Sequence, residues 1–259
     1  MDASLARRRR TAVRRRATGV LEVTKRECLI TGASGLLGSA WIARYASKYA
    51  ITAVHRTREI EFATQDQSFF DPLAPRRPLD ANDHAVHAVR ADLATEKGCE
   101  QVVGETIART TRLDLLLSAA TVRMSAPLTS APSLAAAEHA FALDVLAPLR
   151  LAAALVRASW GADPAANAAA NRSVVLVAGT AGRYVYEDQG LGLHSATSAA
   201  LCQLVYHLAS ELWHLGIRVN GVLMPTNYCR DDAEKAATRI AGLDAGSATG
   251  TLVTLTEGP

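Results

Sequence analysis

Residues 194–208 read HSATSAALCQLVYHL and are entered through the glycine-rich run GLGL. The pattern predicts the first turns of a helix, with His194, Ser195, Thr197 and Ser198 in the opening turn. His194 alone among them can exchange a proton near neutrality, because a free imidazole titrates at about pH 6.5. Hydroxyls at a helix start serve capping as readily as catalysis. Just upstream, GRYVYEDQG carries Tyr184 and Tyr186, phenols that a loop can bring to the same place. The chemistry on offer is acid–base work by an imidazole. The plainer alternative is a half-buried ring that simply begins a helix.

A second cluster points to phosphate. ITGASGLLG sets Gly32, Gly35 and Gly38 between a short apolar run, Cys28 to Ile30, and a helical stretch with Leu37, Trp41, Ile42 and Tyr45 on one face. Glycines there allow a tight turn, close backbone approach to a pyrophosphate and tight helix–strand packing. The helix N-terminus then presents free N–H groups and partial positive charge to an anion, with Ser34 and Leu37 in the same loop. The next strand ends AVHRT, where a reader of an unmodified ribose carries an acid. Arg56, with Arg58 close by, suits a 2′-phosphate instead, so NADP(H) is expected over NAD(H). Asp92 and Leu93 end a third strand, in RADL, where the carboxylate can accept from an adenine amino group or cap the following helix.

These residues need a frame. Apolar strand-like runs near 28–30, 51–55, 85–90, 113–120, 173–179, 217–225 and 251–256 alternate with helical stretches. That alternation predicts an α/β domain with a mostly parallel seven-stranded sheet covered by helices on both faces. Residues 58–83 break the rhythm with Pro72, Pro75 and Pro78, so no full-length helix is expected there. The segment 132–160 reads as one long Ala-rich helix with a kink at Pro148. GADPAANAAANR, after it, reads as a polar surface loop. TNYCRDDAEK leaves little room for a lid over the site.

Bulk numbers narrow the classes. The net charge of +3 belongs to the N-terminus: residues 1–18 hold seven arginines and one acid, so the rest of the chain is net acidic. Nucleic-acid binding would rest on that tail alone. Residues 1–24 are expected to be a disordered arm, with a targeting segment or an arm for anionic partners as alternatives; 25–259 are expected to form one domain. No uninterrupted apolar run approaches a membrane span of about 18 residues. Cys28, Cys99, Cys202 and Cys229 lack metal-site spacing, so no metal is expected, and all four read as small buried thiols in a reducing cytoplasm.

Over about residues 27–259 the chain resembles the short-chain dehydrogenase/reductase family. TGASGLLG is similar to its glycine motif and ADL to its adenine-contact motif. RVNGVLMPT resembles its Arg-Val-Asn-x-Val-x-Pro-Gly segment at the sixth strand, with Thr226 where glycine is usual, and TGTLVTLTEG resembles its last strand. The resemblance implies a doubly wound Rossmann-type sheet, a nicotinamide cofactor, and dimers or tetramers built on the long Ala-rich helix and the helix after the fifth strand. It also implies contacts from the segment after the fourth strand, which here reads Ser118, Ala119, Ala120, Thr121 in place of Asn-Asn-Ala-Gly.

The active site of that family does not carry over. Its asparagine position falls on Asp144, its serine on Gly179 with Thr180 beside it, its tyrosine on His194 and its lysine on Ser198. No register restores the Tyr-x-x-x-Lys motif, because no tyrosine in the chain has a lysine four residues on. The expectation is a divergent member in which His194 replaces the tyrosine, helped by Asp144 or Tyr186, with Thr180 replacing the serine hydroxyl. It would be NADP(H)-linked or have turned to non-redox proton transfer on a small or carrier-borne carbonyl substrate, with the cofactor weakly held. The alternative is a non-catalytic, nucleotide-responsive regulator or inactive partner subunit.

Overall fold

A computed structural model describes residues 25–60, 86–110 and 112–255. The expected tail and the proline-rich segment before the third strand lie outside the described residues. Seven parallel strands form one sheet, in the order β3-β2-β1-β4-β5-β6-β7. They are β1 (Arg26–Ile30), β2 (Tyr49–His55), β3 (Val86–Arg90), β4 (Leu115–Ser118), β5 (Ser173–Gly179), β6 (Arg218–Met224) and β7 (Thr251–Thr254). Chain order reverses between β1 and β4, which opens a crevice at the carboxyl ends of these two strands.

Both faces of the sheet are covered, so central strands are apolar throughout rather than alternating. One face packs α1 (Leu36–Tyr45) and α7 (Arg230–Ala245) over Cys28, Ile30, Leu115 and Leu117. The other packs α2 (Glu96–Arg109), a long helical run over 131–160 and α6 (Gly192–Leu212) over Leu29, Leu116, Val174 and Leu176. Leu201, Val205, Leu208 and Leu212 form a buried stripe on α6, with Leu204 half-buried. Each such leucine or valine stabilises the fold by about 1.5–3 kcal/mol relative to exposure.

The run over 131–160 is α3 (Ala131–Phe141), a π-helical turn (Ala142–Leu146), α4 (Ala147–Leu155) and a second π-helical turn ending at Trp160. The expected kink at Pro148 is thus absorbed by a widened turn: Pro148 has no N–H to give the carbonyl of Asp144, and the backbone N–H of Ala147 bonds Ala142 instead. By length and a mean hydropathy of 1.6 this run could cross a membrane, a property that counting uninterrupted apolar residues overlooks. Leu151, Leu155 and Trp160 are nevertheless fully enclosed in the core.

Two expectations need correction. GADPAANAAANR is not a loop: Asp163 caps α5 (Pro164–Ala169) by accepting from the Ala166 N–H at 2.9 Å, with proline in its first turn. Asn167 is wholly buried there and donates to the carbonyls of Trp160 and Leu215 at 2.6 and 2.7 Å. Nor are all four thiols buried. Cys229 is exposed at the start of α7, where Asp232 accepts from its backbone N–H at 3.0 Å.

Candidate active site

A cleft of about 600 Å³ opens at the carboxyl ends of β1, β2, β4, β5 and β6. Its floor is the glycine turn. Gly32 has φ +67°, and a β-carbon on it would stand 2.7 Å from the carbonyl oxygen of Ala119. A β-carbon on Gly38 would stand 2.5 Å from the carbonyl oxygens of Gly32 and Ala33. These contacts press α1 against the strand ends, as the spacing predicts. Gly35 begins the helix without a side-chain cap, and the first turn holds no acid. The orphan N–H groups there meet the cleft, which suits an anion. The cradle therefore fits the pyrophosphate of a dinucleotide.

Gly32, Ser34, Gly35, Leu37, Arg56, Asp92, Leu93 and Ala119 all line the cleft. Gly38 and Ser118 do not; the first is spent on packing and the second is buried at the end of β4. Arg56 and Arg58 sit at the β2 end, and Arg56 donates to Nε2 of His139 on α3 at 3.1 Å. Asp92 is not a helix cap: Thr95 is, accepting from the Gly98 N–H at 3.0 Å. Asp92 accepts from the Ala94 N–H at 3.1 Å and stays exposed on the cleft wall. His55, also on the wall, has Nδ1 enclosed with no partner among the described residues. Thr31 Oγ accepts from both Ala119 and Ala120 N–H groups at 3.0 Å, which fixes the segment after β4.

At the other end lies His194, half-buried on the first turn of α6. Its ring rests on Gly179, where a β-carbon would stand 2.5 Å from Nε2. Nδ1 is enclosed and has no partner among the described residues. Burial, reinforced by the Arg123 charge, holds the imidazole below its ordinary pKa. Ser198, buried one turn later, accepts from the Gly179 N–H at 3.1 Å. It is a brace between β5 and α6.

The expected helpers of His194 lie elsewhere. Asp144 does not line the cleft. Its carboxylate accepts from the Val122 N–H at 2.8 Å, Thr197 Oγ at 2.8 Å and Thr121 Oγ at 3.2 Å. Burial raises its pKa to about 6, against the lowering pull of these three bonds. Thr180 is buried behind the β5 end and pairs with the Tyr186 hydroxyl at 2.8 Å. Neither reaches the cleft, and Tyr184 is exposed outside it. The intended serine substitute and loop phenols thus pair with each other or with solvent.

Three cleft residues escaped the sequence reading. Tyr228 brings a phenol from the connection between β6 and α7, and no lysine lines the cleft beside it. His139 comes from α3. Arg123, in the segment after β4, donates through Nη2 to Asn227 Oδ1 at 2.7 Å, across the rim. None sits in a motif; only the strand-end loops of Tyr228 and Arg123 mark those two, and His139 lies within α3.

Comparison with known proteins agrees with this frame. The family model described as short chain dehydrogenase matches residues 26–228. No curated protein matches. Among solved structures, a short chain dehydrogenase from Mycobacterium smegmatis is 19% identical with a TM-score of 0.72, covering 90% of this chain and 92% of that one. A dehydrogenase/reductase from Sinorhizobium meliloti 1021 is 21% identical with a TM-score of 0.68, covering 88% and 92%. A Brucella ovis oxidoreductase of the short chain dehydrogenase/reductase family, in complex with a partially ordered NAD, is 21% identical with a TM-score of 0.67, covering 90% and 100%. The seven-stranded sheet, the glycine cradle and the family match together place this chain in the short-chain dehydrogenase/reductase family.

Proposed function

We propose that the chain binds NADP(H) along the cleft and acts as an atypical reductase or dehydrogenase on a small or carrier-borne carbonyl compound. The observation that carries this reading is the uncapped start of α1 opening into a cleft that ends at His194. When bound, the cofactor supplies hydride to a substrate carbon or accepts it from one. Arg56 and Arg58 favour a 2′-phosphate, Asp92 offers an acceptor to the adenine, and Gly32, Ser34, Gly35, Leu37 and Ala119 shape the walls.

His194 serves as a neutral hydrogen-bond donor in this reading, not as the acid–base shuttle that its sequence position suggests. An enclosed, unpartnered Nδ1 costs less as a lone pair than as a buried N–H. The proton is therefore assigned to Nε2, the nitrogen beside Gly179, where it can polarise a carbonyl oxygen. The proton that balances carbonyl reduction comes from water, which the short connection Pro225–Cys229 leaves room for. Asp144, Thr180 and Tyr186 act through position: Asp144 ties the segment after β4 to α6, and the other two brace the loop after β5.

A non-catalytic, nucleotide-responsive subunit is the second reading. It is favoured by the committed carboxylate of Asp144 and by the lack of any lysine along the cleft. Either reading suits a homo-oligomer formed through the long helix, α6 and the turn just after it, where Leu134, Phe141, Leu146, Leu149, Tyr206 and Trp213 are exposed. It also suits a cytoplasmic setting, given the free thiols. Fluorescence titration with NADPH and NADH tests the cofactor. Tighter NADPH binding is expected, and no binding of either would overturn both readings. Turnover of a carbonyl panel that disappears in H194A separates the enzyme from the regulator.

A further inference from the structure

Resting on the cleft as the substrate site, we infer that the substrate carries a carboxylate and that Arg123 holds it beside His194.

Arg123 lies in the segment after β4 and lines the cleft. Its one hydrogen bond among the described residues is to the neutral amide of Asn227. That bond joins the β4 rim to the β6 rim. None of the ion pairs among the described residues involves Arg123. The remaining N–H donors form a planar fork that matches a carboxylate with two parallel bonds.

The acids nearby among the described residues are accounted for. Of the described cleft residues Asp92 alone bears a carboxylate, and it belongs to the β3 end with Leu93. Asp144 is close along the chain, but its oxygens are taken by Val122, Thr121 and Thr197. An exposed cation with no counter-ion among the described residues, tied across the rim of a cleft, suits an anion. The pyrophosphate has its own place at the start of α1, and the arginines near a 2′-phosphate are at the β2 end. Arg123 acts on His194 electrostatically and helps keep it neutral. A substrate bound there would have its carboxylate on Arg123 and a carbonyl within reach of the His194 donor, which describes an oxo acid.

The test uses the full chain with NADPH, and acetoacetate, its neutral methyl ester and inorganic phosphate as probes. Calorimetry gives affinities, and NMR follows the His194 ring through pH. Acetoacetate should bind at least tenfold more tightly than methyl acetoacetate and should raise the His194 pKa. R123Q should abolish the preference, R123K should keep part of it, and N227A should weaken it. Unchanged melting of R123Q would show that the fold is intact. Equal binding of acid and ester, no binding of acetoacetate, tighter binding of phosphate, or an undiminished preference in R123Q would each overturn the inference. Failure of NADPH to bind would instead sink the cofactor reading, and the acetoacetate titration without nucleotide would still report on Arg123.

Discussion

The imidazole of His194 lies over Gly179 so closely that a β-carbon there would be 2.5 Å from Nε2 and 3.2 Å from Ser198 Oγ. Residues 179, 194 and 198 therefore form one packed unit. A glycine at 179 makes room for the ring, and a serine at 198 reaches back to the Gly179 N–H. G179S should displace His194 and destabilise the protein by about 1–3 kcal/mol, as overpacked sites do. The same change in an H194A background should cost much less. Urea denaturation of the two single variants and the double variant would give a coupling of at least about 1 kcal/mol. Additive effects would show that the ring does not occupy that space.

Asp144 predicts a pH dependence with a definite sign. Its folded pKa is raised to about 6 from 3.8 by burial. The protonated carboxyl is thus favoured in the folded state. The contribution to stability is fully present below about pH 4 and is lost as pH rises through 6. D144N keeps a carbonyl for the Val122 N–H and removes the titration. Relative to D144N, the wild type should lose on the order of 3 kcal/mol between pH 4 and pH 7. Denaturation curves at successive pH values check this, and a pH-independent difference would mean that Asp144 is solvated. D144A, which strands the Val122 N–H, should be about 1–3 kcal/mol less stable than D144N at any pH.

Much of the lining at the glycine-turn end of the cleft was legible because it is local. The glycines of 32–38, the strand-end Arg56 and the ADL turn act through chain neighbours, so spacing alone places them. The substrate half was not. Asp144 was expected at the cleft beside His194, yet its carboxylate turns to Thr197 and Val122, and sequence cannot reveal a side chain's direction. Thr180 and Tyr186 find each other across six residues of loop, which satisfies two polar groups that the catalytic expectation left open. Arg123 carries no signal but its place just beyond β4. GADPAANAAANR looked like a loop because its apolar residues are all alanine, although Asp163-Pro164 is a helix start.

Arg56 offers a direct check on cofactor choice. Its guanidinium already spans from the end of β2 to His139 on α3. Exchange of that imidazole partner for a phosphate would gain charge-assisted bonds worth about 1.5–3 kcal/mol each. R56A should therefore weaken NADPH by roughly 10–100-fold and leave NADH nearly unchanged. Fluorescence titration of both nucleotides at low and high salt would measure it. Equal losses for the two would assign Arg56 to the fold.

A last prediction separates stability from the cleft. Asp244 is wholly buried at the amino ends of the strands. It accepts from Arg26 at 2.9 and 3.0 Å, from the Tyr49 hydroxyl at 2.7 Å and from Ser173 Oγ at 2.6 Å. Arg218, at the start of β6, donates to the carbonyls of Leu243 and Asp244 at the end of α7, where a cation also favours the helix dipole. The group joins β1, β2, β5, β6 and α7. D244A would leave Arg26 facing a buried gap and strand two hydroxyls. Breaking such a pair costs about 3–5 kcal/mol when both partners are enclosed. The Arg26 side chain is 30% exposed and water can reach it, so the lower figure is expected. The folded fraction should still bind NADPH with wild-type affinity, because the cleft lies at the opposite strand ends. Denaturation and nucleotide titration on the same sample test both halves. A loss of affinity beyond the loss of folded protein would show that the two ends of the sheet are coupled.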